Sequence, residues 1–302
     1  MPSRTIRGRD NGQGRSVAMV AGLAVAWLLS AAGAMAQPAT VVSTAPSFTE
    51  TVFALGAGKR LVAVSNYCHY PPEVNRLPKI GNYLDPNVEA IARLKPGLVL
   101  LHTEQRQAAG QLTAMGIRVL TLRNTTLEDT MASVKQVGAA LGLAREGARL
   151  EGQLRARLRA IEEPSKTRPR RTLLFVVGRT PGRLDGMMAV GSGSYLNELM
   201  RIAGGRNVLD DSRVAYPQIS LEGVIRLDPD VIVDMGDMTA TEGVSEEHKR
   251  AVVRLWEGQP VVRAVKQKTV FAVADDIFVV PGPRVVEAAE AFAAMLRKAP
   301  GR

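Results

Sequence analysis

Cysteine is nearly absent from this sequence: Cys68 is the single one in 302 residues. One thiol cannot build a disulfide framework or a Cys-rich zinc module. Histidine is also scarce, with three in the whole chain, and no paired Cys or His completes a recognisable ligand spacing. Aromatic residues are only 4% of the total, so wherever they cluster, the clustering carries information. Low-complexity tracts are missing, and with 46% hydrophobic residues the composition excludes disorder. The length allows about two domains of roughly 100–200 residues, each with its own core.

The formal charge is +10, but it is unevenly spread. Arg4, Arg7, Arg9 and Arg15 stand against Asp10 near the start, and between Arg145 and Arg171 nine Lys/Arg face four Glu. Alternating signs over that second stretch suggest a solvated helix face followed by a polar joint. A nucleic-acid binder would interleave its basic residues with aromatics and glycines, and this stretch has no aromatic.

The start of the chain reads as an address. Arginines precede an apolar run, Val17 to Ala34, that ends at Ala34-Met35-Ala36. This is the pattern of a secretory signal peptide, with cleavage expected after Ala36; retention as an anchor is the alternative. No cysteine follows the run to take a lipid, and no later run approaches about 20 residues. The expected product is exported to the periplasm without a membrane span.

Beyond the leader, short β-branched runs alternate with helical patterns. Strands are predicted at Thr40–Ser43, Leu61–Ser65, Leu98–Leu101, Arg118–Leu122, Thr172–Val177, Val231–Asp234 and Thr269–Val273. Helices are predicted near Phe48–Leu55, Val88–Leu94, Gln105–Met115, Leu127–Leu141, Tyr195–Ile202, Leu221–Arg226, Glu246–Trp256 and Arg284–Arg297. Such alternation argues an α/β fold of two mostly parallel sheets flanked by helices. Asn87–Leu101 also resembles Ser220–Asp234, with Glu, Arg, Leu and Pro in register. Ser47–Leu61 echoes Ser194–Val208 more weakly. Two repeated blocks in the same order suggest two related lobes. Between them Leu150, Leu154, Leu158 and Ile161 mark one amphipathic helix from about Leu143 to Glu163, ended by Pro164. The expected divisions are a leader over 1–36, a lobe over 37–142, a connecting helix over 143–164 and a second lobe over 165–302. One rigid crossing predicts a shallow cleft with limited hinge closure.

Ligands of open parallel sheets bind beyond the carboxyl ends of the strands. The loops expected there carry four of the five tyrosines: Tyr67, Tyr70, Tyr83 and Tyr216. Rigid rings with a polar tip suit a broad, partly apolar ligand; alternatively each ring seals its own lobe. Cys68 and His69 are adjacent, which rarely lets two side chains converge on one ion. His102 ends a strand at the expected cleft, either to ligate a metal within a chelate or to bond backbone. Gly191-Ser192-Gly193-Ser194 matches neither a nucleophile elbow nor a phosphate loop, and Ser194 or a neighbour is expected to begin a helix. The adjacent acids Asp210-Asp211 and Asp275-Asp276 do not bracket a substrate as acid and base must, so they read as turns or rim charges. Glu89 and Glu222 are equivalent in the repeat. They either stabilise helix dipoles, at about 0.3–1 kcal/mol each, or present one acidic knob per lobe to a partner.

Ala45-Pro-Ser-Phe-Thr-Glu50, Val64-Ser-Asn-Tyr-Cys-His-Tyr-Pro-Pro-Glu73, Asn87-Val-Glu-Ala-Ile-Ala-Arg-Leu-Lys-Pro96, Tyr216-Pro-Gln-Ile-Ser-Leu-Glu222 and Pro281-Gly-Pro-Arg284 together resemble the periplasmic solute-binding proteins of iron-chelate and cobalamin ABC importers. The resemblance covers nearly all of residues 40–297. It implies two lobes joined by one backbone helix, no enzymatic activity and no resident cofactor. It also implies a monomer whose transported ligand carries Co or Fe, with an importer permease and its ATPase as partners. The family's docking glutamates map onto Glu89 and Glu222. The Tyr-x-x-Tyr-Pro-Pro loop is most similar to the cobalamin-type branch, which implies ligand contact at Tyr67, Tyr83, Tyr216 and Asp275 or Asp276, with His102 beside them. Tyr83 and Tyr216 stand where that branch tends to carry tryptophan, and Ile277 where an aromatic is expected. Those departures leave open a corrinoid, haem held by Tyr67, His69 or His102, or a ferric siderophore met by Arg179, Arg183 or Arg213. A metal-dependent hydrolase using His69, His102 and Glu104, or a partner-binding protein with a vestigial cleft, are the readings from other classes.

Overall fold

The computed structural model describes residues 39–237 and 245–300, besides Met1 and Ser3. The leader's apolar run and its Ala34-Met35-Ala36 end lie outside the described residues. Among the described residues no helix is long and apolar enough to cross a membrane.

The first sheet holds β1 (Val41–Ser43), β2 (Leu61–Val64), β3 (Leu98–His102) and β4 (Val119–Leu122), all parallel, in the order β2-β1-β3-β4. The crossovers are α1 (Pro46–Ala54), α2 (Val88–Arg93) and α3 (Arg106–Ala114). Val41, Leu98 and Leu100 join the core on one face of the sheet, and Val42, Val99 and Leu101 the core on the other. Burial on both faces is why these strands read as unbroken apolar runs.

Two helices then carry the chain across. α4 (Leu127–Ala140) opens on a capping box between Thr126 and Asp129, and α5 (Ala144–Ser165) is 22 residues long, about 33 Å. Leu154 and Leu158 of α5 are buried in the second lobe's core, with Leu150 and Ile161 packed against it. α4 lies along α5 so closely that a Cβ on Gly138 would stand 2.9 Å from the Gly147 Cα. Its Met131 and Val134 serve the second lobe's core, its Val137 the first's. The connecting helix is therefore braced by a second helix that belongs to both cores. Pro164 does not end α5, which runs on to Ser165. The Ser165 hydroxyl donates to the Glu162 carbonyl (2.7 Å) and the Ile202 carbonyl (3.0 Å), helping to satisfy the last turn.

The second sheet contains β5 (Arg171–Gly178), β6 (Met187–Ala189), β7 (Gly205–Asn207), β8 (Gln218–Ile219), β9 (Val231–Asp234) and β10 (Val270–Ala272). Its path is β10-β9-β5-β6-β8, with β7 also pairing β5. β6 runs antiparallel to β5 and β8 while the other pairings are parallel. Leu173, Phe175 and Val177 of β5 enter one core and Leu174 and Val176 the other. The covering helices are α6 (Tyr195–Ile202), α7 (Leu221–Leu227), α8 (Glu246–Glu257), α9 (Arg263–Lys266) and α10 (Val285–Lys298). The sequence pattern does not reveal β6, β7 and β8, because two or three residues are too few to show a period.

The repeat is real at the level of the backbone. Asn87 caps α2 by accepting from the Ala90 amide at 2.9 Å, and Ser220 caps α7 by accepting from the Gly223 amide at 3.2 Å. Each helix leaves through a left-handed non-glycine residue, Lys95 (φ 46) or Asp228 (φ 42). Each then passes a proline and enters a buried parallel strand, β3 or β9.

Candidate functional site

The carboxyl ends of the strands carry most of the loops singled out by sequence, while the Tyr216 loop enters β8. After β2, Ser65–Pro71 turns outward while Cys68 folds back, fully buried, with its sulfur 3.2 Å from Thr49 Oγ1 and 3.3 Å from Ser65 Oγ. Burial pushes its thiol up from the ordinary value. The cysteine therefore anchors the loop in the core, and Tyr67 beside it is 55% exposed. The loop is tied to its neighbour Gly81–Pro86 by the Asn66 amide, which donates to the Gly81 carbonyl (2.9 Å), and by Asn66 Nδ2, which donates to Asn82 Oδ1 (3.1 Å).

That neighbour carries Tyr83, half-buried with its ring centroid 5.7 Å from that of His102. Burial, and then the charge of Glu104, push the Tyr83 phenol upward. His102 itself is only 5% exposed, and its Nδ1 accepts from the Glu104 amide at 3.3 Å. Gln105 completes the support: its Oε1 accepts from the His102 amide and from Thr44 Oγ1, both at 2.7 Å, and its amide nitrogen donates to the Tyr83 carbonyl. Gln105 escapes sequence reasoning because a glutamine following a strand has no distinctive signal.

In the second lobe Tyr216 sits on the loop before β8. Although 40% of the residue is exposed, its hydroxyl end is enclosed, and that burial raises its phenol. The Ser194 hydroxyl donates to it at 3.2 Å and also accepts from the Leu196 amide as the cap of α6. The Gly191–Ser194 turn is the platform for this loop: the Gly191 amide donates to the Ala215 carbonyl at 2.8 Å. A Cβ on Gly191 would stand 2.0 Å from the Val214 oxygen, so only glycine permits the approach. The Tyr195 hydroxyl donates to the Phe278 carbonyl at 3.0 Å, fixing the turn that carries the two acids. Asp275 is exposed and caps that turn, accepting from the Ile277 amide at 3.1 Å.

Asp276 belongs to a network that crosses between the lobes. Arg284, just before α10, donates to both carboxylate oxygens of Glu50 on α1 (3.0 and 2.5 Å) and to Asp276 (2.8 Å). Its guanidinium also lies 3.9 Å from the centroid of the Tyr70 ring. Burial pushes the Glu50 carboxyl up to about 7 against the pull of Arg284, with the Asp276 and Glu287 charges adding to the rise. Gly282 lets this loop close on α1, where a Cβ would stand 3.2 Å from the Ser47 Cα. Sequence reasoning quotes both ends of this network within separate motifs but cannot join residues 234 positions apart.

The three arginines considered for an anionic chelate fare differently. Arg179 is committed to a buried pair with Asp234 at 3.0 Å, and Asp234 also accepts from Trp256 Nε1 at 2.7 Å. Arg183 pairs with Asp185 at the surface. Arg213 is exposed on the Tyr216 loop and makes no ion pair among the described residues. Among the described residues His69, His102 and Glu104 do not come together as a metal-holding cluster.

Glu89 and Glu222 both stand exposed in the first turns of α2 and α7. Glu89 is 82% exposed and reaches Arg93 at 3.2 Å. Hydrogen bonds from its own amide and from Ser220 lower the Glu222 carboxyl below its usual value. Ion pairing and capping at such exposure contribute little to stability.

Comparison with known proteins places this geometry. Residues 41–276 match the model of a family described as periplasmic binding protein. A Bacillus subtilis protein, an uncharacterized ABC transporter substrate-binding lipoprotein, is 30% identical over 265 residues, covering 85% of this chain and 79% of its own. The periplasmic vitamin B12 binding protein BtuF of Vibrio cholerae superposes with a TM-score of 0.73 at 25% identity, covering 88% of this chain and 99% of its own. The periplasmic heme-binding protein RhuT from Roseiflexus sp. RS-1, in apo form, gives 0.73 at 26% identity over 86% and 99%. The two solved structures share the α/β fold of this chain, and the hydrolase reading finds no support among these relatives. The chain belongs to the periplasmic binding protein family, whose members are substrate-binding proteins of transport rather than enzymes.

Proposed function

We propose that this protein captures a metal chelate or corrinoid between its lobes and delivers it to an ABC importer permease with its ATPase. The observation that carries this is the set of tyrosines held on braced loops, Tyr67 and Tyr83 beyond the carboxyl edge of the first sheet and Tyr216 on the loop entering β8 of the second. Flat rings on both sides suit a flat, partly apolar ligand. Asp275 adds an exposed acceptor, whereas Asp276 acts through Arg284 and His102 through Tyr83. A corrinoid fits this chemistry better than a ferric catecholate, because Arg179 is spent on Asp234 and Arg183 pairs with Asp185, which leaves Arg213 as the one candidate cation of the three without an ion pair among the described residues. Haem is the second reading, favoured by the exposure of Tyr67 and His69 as axial-ligand candidates. Glu89 and Glu222 serve as the two docking points, one per lobe. The same reading takes residues 1–36 as a cleaved leader, 37–142 and 165–302 as the lobes and 143–164 as the connector, with Co or Fe arriving only in the ligand and a monomer as the working form.

Absorption titration of the purified protein with cobalamin, haem and a ferric siderophore tests the assignment. A stoichiometric spectral shift with one of them is expected, and it names the ligand branch. Indifference to all three sinks the proposal.

A further inference from the structure

A cavity lies at the amino end of β5, where Arg171 begins the strand. It has a volume of about 380 Å³ and sits between the end of α5, the segment leading into β5 and the last turns of α10. Ser165, Arg168, Arg171, Leu296 and Arg297 line it, with Pro169 and small apolar residues and no acid.

Arg171 is the decisive residue. It is 8% exposed, and its Nη1 has no hydrogen-bond partner among the described residues. A guanidinium cannot shed its charge, so a buried and unmatched N–H carries a desolvation penalty, and a negative charge bound beside the side chain would lessen it. Arg168 and Arg297 border the same space and make no ion pair among the described residues. The nearby acids are engaged elsewhere: Glu162 faces Arg201 at 3.6 Å and Glu163 holds Lys166 at 2.7 Å. The Ser165 hydroxyl is already donated to two carbonyls. Three arginines thus border one cavity that no acid lines, two of them, Arg168 and Arg171, on the basic stretch that the transport function leaves unexplained. Their planar forks match a tetrahedral oxyanion bidentately. The volume exceeds that of a bare ion, and Leu296 and the alanines offer walls for carbon.

We propose that this cavity is a binding site for a phosphate group carried on a small organic body, distinct from the transported ligand's cleft. Calorimetry on the purified protein with inorganic phosphate and glycerol 3-phosphate, and flotation with phosphatidylglycerol against phosphatidylcholine vesicles, test it. Saturable binding to a phosphate probe is expected. Arg171→Met and the exposed double variant Arg168→Ala/Arg297→Ala should each weaken it about tenfold or more, the loss associated with a charge-assisted hydrogen bond. The double variant guards against misfolding of the buried one, and the spectral titrations of the cleft should be unchanged in it. Binding to glycerol 3-phosphate assigns a free solute; binding only to phosphatidylglycerol vesicles assigns a headgroup. No binding to any probe overturns the proposal. So does an equal loss in Lys166→Ala/Arg170→Ala, which would mean diffuse surface charge.

Discussion

Replacing Arg284 by methionine strips the guanidinium from two carboxylates at the junction of the lobes. The Glu50 and Asp276 side chains are only 3% and 14% exposed, so water cannot substitute for it. Breaking a buried pair by removing one partner costs about 3–5 kcal/mol, and the lost stacking on Tyr70 adds about 0.5–2 kcal/mol. At roughly 2–4 °C per kcal/mol for a protein near this size, the melting temperature at pH 8 should fall by on the order of 10 °C. The deficit must also depend on pH. The Glu50 carboxyl is held at about 7 in the folded protein against 4.5 ordinarily, so the folded state keeps this proton to higher pH than the unfolded chain. Wild-type stability from this group is complete below about 4.5 and is lost as pH rises through about 7, by on the order of 3 kcal/mol. In Arg284→Met the carboxyls can be neutralised at pH 5, so its deficit there should be much smaller than at pH 8. Glu50→Gln removes the titrating group and should flatten the profile between pH 5 and 8. Thermal unfolding by circular dichroism across that range reads all three proteins. Equal deficits for Arg284→Met at pH 5 and 8, or a wild-type melting temperature at pH 8, would refute the reasoning.

Two further outcomes follow from the same structure. Glu89→Ala combined with Glu222→Ala should abolish most transport in whole cells while leaving ligand affinity nearly unchanged and costing under about 2 kcal/mol of stability; normal uptake would remove the docking assignment. Gly191→Ala drives a methyl into the Val214 carbonyl and should displace the Tyr216 loop, costing about 1–3 kcal/mol and weakening ligand binding, whereas undiminished affinity in the titration would take Tyr216 out of the site.

Local patterns were legible because they need only neighbours. The apolar runs of β1, β3, β5 and β9 follow from burial on both faces, and the stripe on α5 follows from the helical period. The Asn87–Leu101 and Ser220–Asp234 repeat survives down to the left-handed residues Lys95 and Asp228. Less legible were the short strands β6 to β8 and the continuation of α5 past Pro164. In the latter, a serine hydroxyl contributed to a carbonyl of another helix as well as to its own.

The site divides the same way. That Tyr67, Tyr83 and Tyr216 lie on loops at strand ends could be read directly, since strand order along the chain locates those loops. Their support could not. Gln105 beneath Tyr83, Ser194 beneath Tyr216 and Arg284 between Glu50 and Asp276 depend on which distant segments pack together. The sequence by itself determined the fold class, the two related lobes and the family, because periodicity and motif are properties of consecutive residues. Only the tertiary structure decided which charged and polar groups are spent on one another, as with Arg179 on Asp234, and which atoms are left without a partner among the described residues, as with Arg171 Nη1. In a low-dielectric interior the fate of a charge is set by partners a few ångströms away in space, and those partners come from anywhere in the chain.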